Sequence, residues 1–184
     1  MNNNFLSKVH PSMNPFLFIL EYALENLPNN PKSACKGFYL AYYNPKKNTL
    51  VAEKIGIVPA EKDLKYLNLA CKKVTQTLLN NSVRSKDFEN NDLEQYPGAF
   101  AINTPSGTFC AGVSGHDSMV DEAISILWLL AKKIISENSS IPVFTGSQEF
   151  CSLLRAEAYC MQETMAPDNK WIGMIAELIE RHVV

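Results

Sequence analysis

Residues 96–122 constrain the fold of this chain more than any other segment. Residues 99–103 and 108–113 are rich in strand-forming side chains, and the turn sequence Thr-Pro-Ser-Gly lies between them at 104–107. Residues 118–136 then predict a helix that is apolar on nearly all sides, so it is either central or at a subunit interface. The segment therefore predicts a hairpin that leads into a buried helix.

The remaining elements follow from periodicity and turn residues. A helix that Ser12 caps and Pro15 enters early is predicted first, with an apolar stripe at Phe16, Ile19, Leu20, Ala23, Leu24 and Leu27. Residues 35–43 and 49–57 predict a second hairpin around the loop at 44–48. We expect an α+β fold.

A helix over residues 60–80 follows the first hairpin. Steps of three and four predict one buried face, formed by Leu64, Leu67, Cys71, Val74 and Leu78. Most of the lysines in this region fall off that face: Lys62, Lys65, Lys72 and Lys73.

The C-terminal part predicts a short strand at 141–145 and helices at 147–161 and 168–183, separated at Pro167. The length and these elements fit one domain, or one domain with a helical C-terminal appendage.

Composition excludes several classes of protein. Seventeen basic and nineteen acidic residues leave a net charge of −2, which gives no strong footprint for nucleic acid. Five cysteines without a CxxC pair favour reduced thiols. The run 16–20 is too short for a secretory segment, and the longest apolar run, 124–135, is too short for a membrane span. We expect a cytoplasmic protein without a membrane or nucleic-acid partner.

Two motifs carry a family resemblance: Tyr-Pro-Gly-Ala-Phe-Ala-Ile at 96–102, and Ala-Gly-Val-Ser-Gly at 111–115 with Asp-Glu-Ala at 121–123. Together they resemble the GlcG/HbpS-like family, also called the haem-degrading domain family, over about residues 12–136. The resemblance implies a profilin-like α+β fold, in which an antiparallel sheet is packed by helices, as a domain over residues 12–138 with a helical C-terminal extension over residues 139–184 packed on it. It also implies assembly into a homo-oligomer, and haem or a corrinoid as ligand. Ala99 departs from the family pattern, which has a second glycine there.

The residues of these motifs also suggest a site on chemical grounds. Gly112 lets backbone or ligand approach the strand closely, and Gly115 permits an unusual φ at the turn into the helix. Ser118 with Asp121 fits a capping box, and the exposed helix start is suited to a small anionic ligand such as a carboxylate. The candidate ligand-binding residues are Gly98, Gly112, Ser114, Gly115, His116 and Tyr39.

His116 has two interpretations. It is either a metal ligand or acid/base group, or a histidine that simply precedes a helix. The aromatic hairpin residues are also open to two interpretations, stacking on a flat ligand or ordinary sheet packing. Strand alternation places Tyr39 and Tyr43 on one face of the sheet and Tyr42 on the other.

Three functions follow from the sequence. The first is a small-molecule binding protein of the GlcG/HbpS-like type. The second is a non-catalytic oligomeric assembly or regulatory protein, because a helix that is apolar all round needs cover on every side. The third is an enzyme that uses Cys35 or His116, for which no base, nucleophile and orienting group can be placed together. Cys71 and Cys110 are interpreted as packing residues.

Overall fold

The computed structural model of this chain describes residues 13–27, 36–93, 95–137 and 147–183. Its longer elements, in chain order, are α1 (Asn14–Glu25), β1 (Lys36–Asn44), β2 (Thr49–Ile57), α2 (Asp63–Leu79), β3 (Ala99–Thr104), β4 (Gly107–Ser114), α3 (Ser118–Glu137), α4 (Gln148–Met165) and α5 (Trp171–Val183). The predicted α+β class, with an antiparallel sheet, flanking helices and further helices at the C-terminal end, is confirmed. The predicted cap Ser12, the thiol Cys35 and the strand at 141–145 lie outside the described residues.

The four strands form one antiparallel sheet in the order β2-β1-β4-β3. The pair Thr104 and Gly107 closes the β3–β4 hairpin, so the turn predicted at 104–107 is confirmed. The β1–β2 hairpin closes at the pair Asn44 and Thr49, as the predicted loop requires. Both outer strands of the sheet are therefore hairpin arms, and the inner pair β1–β4 joins the two hairpins.

The two faces of the sheet differ in what covers them. Tyr39 and Tyr43 belong to an apolar cluster that includes Ala70 and Val74 of α2. Tyr42 points to the other face, where its ring centroid lies 6.0 Å from that of Trp128 in α3. The predicted alternation of the three tyrosines is confirmed, and it orients the sheet between α2 and the part of α3 that carries Trp128.

The buried face of α2 is confirmed at Val74, and the predicted Leu67, Cys71 and Leu78 pack against the same core as partly buried residues, but the face is centred differently. Its buried residues are Ala70, Lys73, Val74 and Thr77, whereas Leu64 is 69% exposed. The helix crosses the sheet at Gly112, where an added Cβ would lie 2.9 Å from Val74 Cγ2 and 3.0 Å from the Ala70 carbonyl oxygen. Because small residues meet at this crossing, the contact line follows Ala70, and Lys73 lies inside it.

The apolar residues of α3 are buried within the single chain, as the central placement of this helix predicts: Val120, Ala123, Ile124, Ile126, Leu127, Trp128, Leu129, Leu130, Ala131 and Ile134. The helix therefore does not need a second subunit to cover its apolar sides.

The chain divides into two compact units. Asn30–Leu129 contains the sheet, α2 and the first part of α3, while Met1–Asn29 together with Leu130–Val184 contains the other helices. In the second unit α5 packs against both α1 and α4, and the predicted stripe of α1 is buried. The expected division into a domain at 12–138 and an extension at 139–184 stays a prediction. No helix in the described ranges is long and apolar enough to cross a membrane.

Candidate functional site

All six predicted site residues are buried in the sheet-containing unit. Gly98 precedes β3, Gly112 and Ser114 lie on β4, and Gly115 and His116 form the link from β4 to α3. The sixth, Tyr39, is the direct cross-strand partner of Ser114. We call residues 113–117 the β4–α3 turn.

Tyr39 and His116 lie on different sides of the sheet. The Tyr39 hydroxyl forms a hydrogen bond with Asp63 at the start of α2, and Asp63 also pairs with Lys54. Burial, and then the Asp63 carboxylate, raise the pKa of Tyr39. The His116 ring instead lies with its centroid 5.8 Å from that of Phe38, on the face opposite to Tyr39. The structure therefore separates Tyr39 from the other five predicted residues.

A buried ion pair between a lysine of α2 and an aspartate of α3 holds the β4–α3 turn in place. Lys73 Nζ donates to Asp121 Oδ2 at 3.0 Å and to the Val113 carbonyl oxygen at 2.6 Å. The other carboxylate oxygen of Asp121 accepts the backbone N–H of His116 at 2.9 Å. Both charged side chains are almost fully buried, with 4% and 3% exposed. We call these contacts the Lys73–Asp121 clamp, because they fix the turn at two points, Val113 and His116.

The Lys73–Asp121 clamp explains why position 98 is a glycine. An added Cβ at position 98 would lie 2.4 Å from Lys73 Nζ and 3.0 Å from the Val113 carbonyl oxygen. Its φ of +129° is also one that side chains rarely permit. The Gly98 carbonyl accepts the Val113 N–H and the Ser125 hydroxyl, each at 2.8 Å. Gly98 thus packs directly over the ammonium group.

A second buried ion pair lies one residue further along α3. Arg84 Nε and Nη2 donate to the two carboxylate oxygens of Glu122 at 3.0 and 2.8 Å, in the forked geometry of a bidentate pair. Glu122 is completely buried and Arg84 is 12% exposed. The next residue, Ser85, accepts the Ala99 N–H at 2.9 Å, which joins the same segment to β3. Two adjacent acidic residues of α3 therefore bind one cation each.

Two details of the predicted turn are wrong. Gly115 does not have a positive φ; an added Cβ there would lie 2.6 Å from Phe38 Cβ and 2.8 Å from the Gly37 carbonyl oxygen, so its role is close approach to β1. The helix cap is also one residue earlier than predicted. Asp117 Oδ1 accepts the Met119 N–H at 3.1 Å, and Asp121 binds Lys73 instead of completing a capping box with Ser118.

The backbone N–H groups that were predicted to bind an anionic ligand donate instead to carboxylates of the chain itself. Asp117 binds the first turn of α3, and Asp121 binds the His116 amide. His116 is 4% exposed. Protein atoms also fill the space beside Gly98, Gly112 and Gly115. The turn as it stands therefore leaves no room for a haem plane against these glycines, and a ligand reaches it only if the turn opens.

The described residues contain no group of three histidine, cysteine or acidic side chains arranged to hold a metal ion. Burial raises the pKa of the Cys110 thiol to about 12, and burial followed by the charge of Glu180 raises that of Cys151 to about 11. Burial also raises the pKa of Cys71. These three thiols therefore stay protonated at neutral pH, as packing residues do.

Sequence reasoning missed Lys73 and Arg84, and it assigned Asp121 and Glu122 to the helix dipole. The available signal was the position of Lys73, which shares a helical face with Ala70 and Thr77. The partners are 48 and 38 residues apart along the chain, and no local pattern pairs residues at such distances.

No protein-family model, curated protein or solved structure matches this chain. The resemblance to the GlcG/HbpS-like family therefore stays a prediction, and the candidate site rests on the geometry of the β4–α3 turn.

Proposed function

We propose that this chain is a small-molecule binding protein of the GlcG/HbpS-like type, and that its ligand carries a carboxylate that binds at the β4–α3 turn. One observation carries the proposal. The buried ammonium of Lys73 and the backbone N–H of His116 converge on a single carboxylate, that of Asp121. These donors are of the kind that recognise a carboxylate on a ligand.

The energetics of the clamp support a role beyond stability. Burying an ammonium and a carboxylate costs several kcal/mol of desolvation each, and well-packed apolar residues often stabilise a fold as well or better. The Lys73–Asp121 clamp holds a turn inside the segment that the sequence singles out, with His116 and the Phe38 ring beside it.

The resemblance suggests haem or a corrinoid as the ligand, and haem carries two propionate groups of the required kind. In that case a propionate would bind Lys73, and His116 would be the candidate for the metal. Both require the turn to open, since His116 is buried in the closed conformation.

Titration of the full chain with haemin tests the proposal. We expect a saturable Soret shift that is lost in His116→Ala. His182→Ala is the matched control, because that histidine stacks on Tyr22 in the other unit at a centroid distance of 3.8 Å and should leave the shift unchanged. A shift that is absent in the natural protein, or equal in both variants, would contradict ligation by His116.

Assembly into a homo-oligomer is a second candidate, favoured by one observation. The outer strand β2 carries exposed Leu50 and Ile57 side chains. If copies associate along this strand, Ile57→Lys should lower the mass that light scattering measures for the full chain, while Leu153→Lys on α4 should not. A natural protein that is monomeric at all concentrations would exclude this candidate.

A further inference from the structure

The Asp121 carboxylate occupies the position that a ligand carboxylate would take. One of its oxygens accepts a hydrogen bond from Lys73 Nζ and the other accepts one from the His116 N–H. Lys73 is anchored independently by the Val113 carbonyl oxygen at 2.6 Å, so its ammonium stays in place when the carboxylate leaves. The Lys73 ammonium, which would bind the ligand carboxylate, is therefore held in place without Asp121.

We infer that Asp121 is an autoinhibitory contact: it fills, from within the chain, a carboxylate-binding site made by Lys73 and the His116 amide. A ligand carboxylate binds by replacing it when the β4–α3 turn opens. This inference rests on the proposed function but concerns the chemical class of the ligand and the residue that competes with it. It makes Asp121 a regulator of affinity, because only the open fraction of the protein binds.

The arrangement of the turn defines how it opens. His116 donates its N–H to Asp121, so that bond breaks when the Asp121 carboxylate leaves, whereas Val113 keeps its N–H on the Gly98 carbonyl and its own carbonyl on Lys73. Ala101 donates its N–H to the Val83 carbonyl at 2.8 Å in the same sheet and does not depend on the clamp. Local opening therefore exposes the His116 amide and leaves the Val113 and Ala101 amides protected.

Chemical rescue tests the site directly. Asp121→Ala removes the internal carboxylate and leaves the ammonium of Lys73 buried, with space for a small anion. We expect added formate to raise the urea midpoint of this variant in a saturable way, while chloride at the same ionic strength does not. In the matched variant Asp121→Ala with Lys73→Met, formate should have no more effect than chloride. Equal effects of formate and chloride on Asp121→Ala would overturn the inference.

Hydrogen exchange of the natural full chain provides a test that does not depend on how well the variants fold. We expect the His116 amide to exchange at least about tenfold faster than the Val113 and Ala101 amides under native conditions, since a difference of 1.4 kcal/mol in opening free energy is tenfold. Exchange of all three amides at one common rate, through global unfolding alone, would contradict the opening step. The haemin titration tests the proposed function, and its outcome does not depend on the formate or hydrogen-exchange results. Failure of the proposed function and failure of this inference are therefore distinguishable.

Discussion

The ammonium group of Lys73 fills the space that a side chain at Gly98 would need: an added Cβ would lie 2.4 Å from Nζ. The glycine of the Tyr-Pro-Gly motif therefore has a physical cause inside the chain. It allows a charged side chain from α2 to reach the turn before α3.

Gly98→Ala should lower the free energy of unfolding by about 3 kcal/mol, since it combines a strained φ with a clash against a buried ion pair. Gly107→Ala is the control, because Gly107 also has a positive φ, +113°, but its added Cβ would meet only the Pro45 side chain at the hairpin tip. We expect a smaller loss there, about 1–2 kcal/mol, in urea denaturation. Equal losses would mean that the contact with Lys73 adds nothing.

Lys73→Met should destabilise the chain by about 3–5 kcal/mol, because it leaves the Asp121 carboxylate buried and unpaired. Lys133→Met breaks a more exposed ion pair with Glu157, at 3.1 Å, and should cost less than about 1 kcal/mol. Adding Asp121→Asn to Lys73→Met should recover part of the loss, since no unpaired buried charge remains. If Lys73→Met and Lys133→Met are equally stable, the Lys73–Asp121 ion pair contributes no more to stability than a more exposed pair does.

Arg84→Lys should cost about 1–2 kcal/mol, because an ammonium cannot reproduce the two parallel hydrogen bonds to Glu122. Arg181→Lys is the control on an exposed helical pair, where Arg181 Nη2 lies 3.1 Å from Glu177 Oε2. That change should be nearly neutral in the same urea denaturation experiment. If Arg84→Lys leaves the free energy of unfolding unchanged, the bidentate geometry contributes little to stability.

Stability should fall in alkaline solution because of Cys110. Burial raises the pKa of this thiol from 9.0 to about 12. Between these values the unfolded chain loses a proton that the folded chain keeps, so the free energy of unfolding falls as pH rises, by about 1.4 kcal/mol per pH unit for one group. Cys110→Ala should therefore make the pH dependence between pH 9 and about pH 12 less steep by the share of this one group, whereas Cys160→Ala at an exposed position should not. An unchanged slope in Cys110→Ala would contradict the shift.

The fold was largely predictable because its signals are local. The loop at 44–48, the turn at 104–107 and the alternation of Tyr39, Tyr42 and Tyr43 each depend on neighbours in sequence, and each is confirmed. The crossing of α2 over the sheet at Gly112 could not be predicted from neighbours in sequence. It shifted the buried face of α2 away from Leu64 and toward Lys73.

The candidate site was only partly predictable. The glycines and His116 were found from their motifs, since turns need particular backbone freedom and close approach. The charges that hold the turn were not found, because a lysine on a helix is ordinarily solvated, and only the fold brings Asp121 to it. The sequence therefore identified where the turn lies, while the structure identified what holds it.

The most direct test of the central claim is an amide chemical-shift map of the full chain titrated with protoporphyrin IX, a flat dicarboxylate without metal. We predict saturable shifts at Val113, His116 and Asp121, with the helices α4 and α5 unchanged. Saturable shifts confined to α4 and α5, or none at the β4–α3 turn, would contradict a carboxylate ligand at this site.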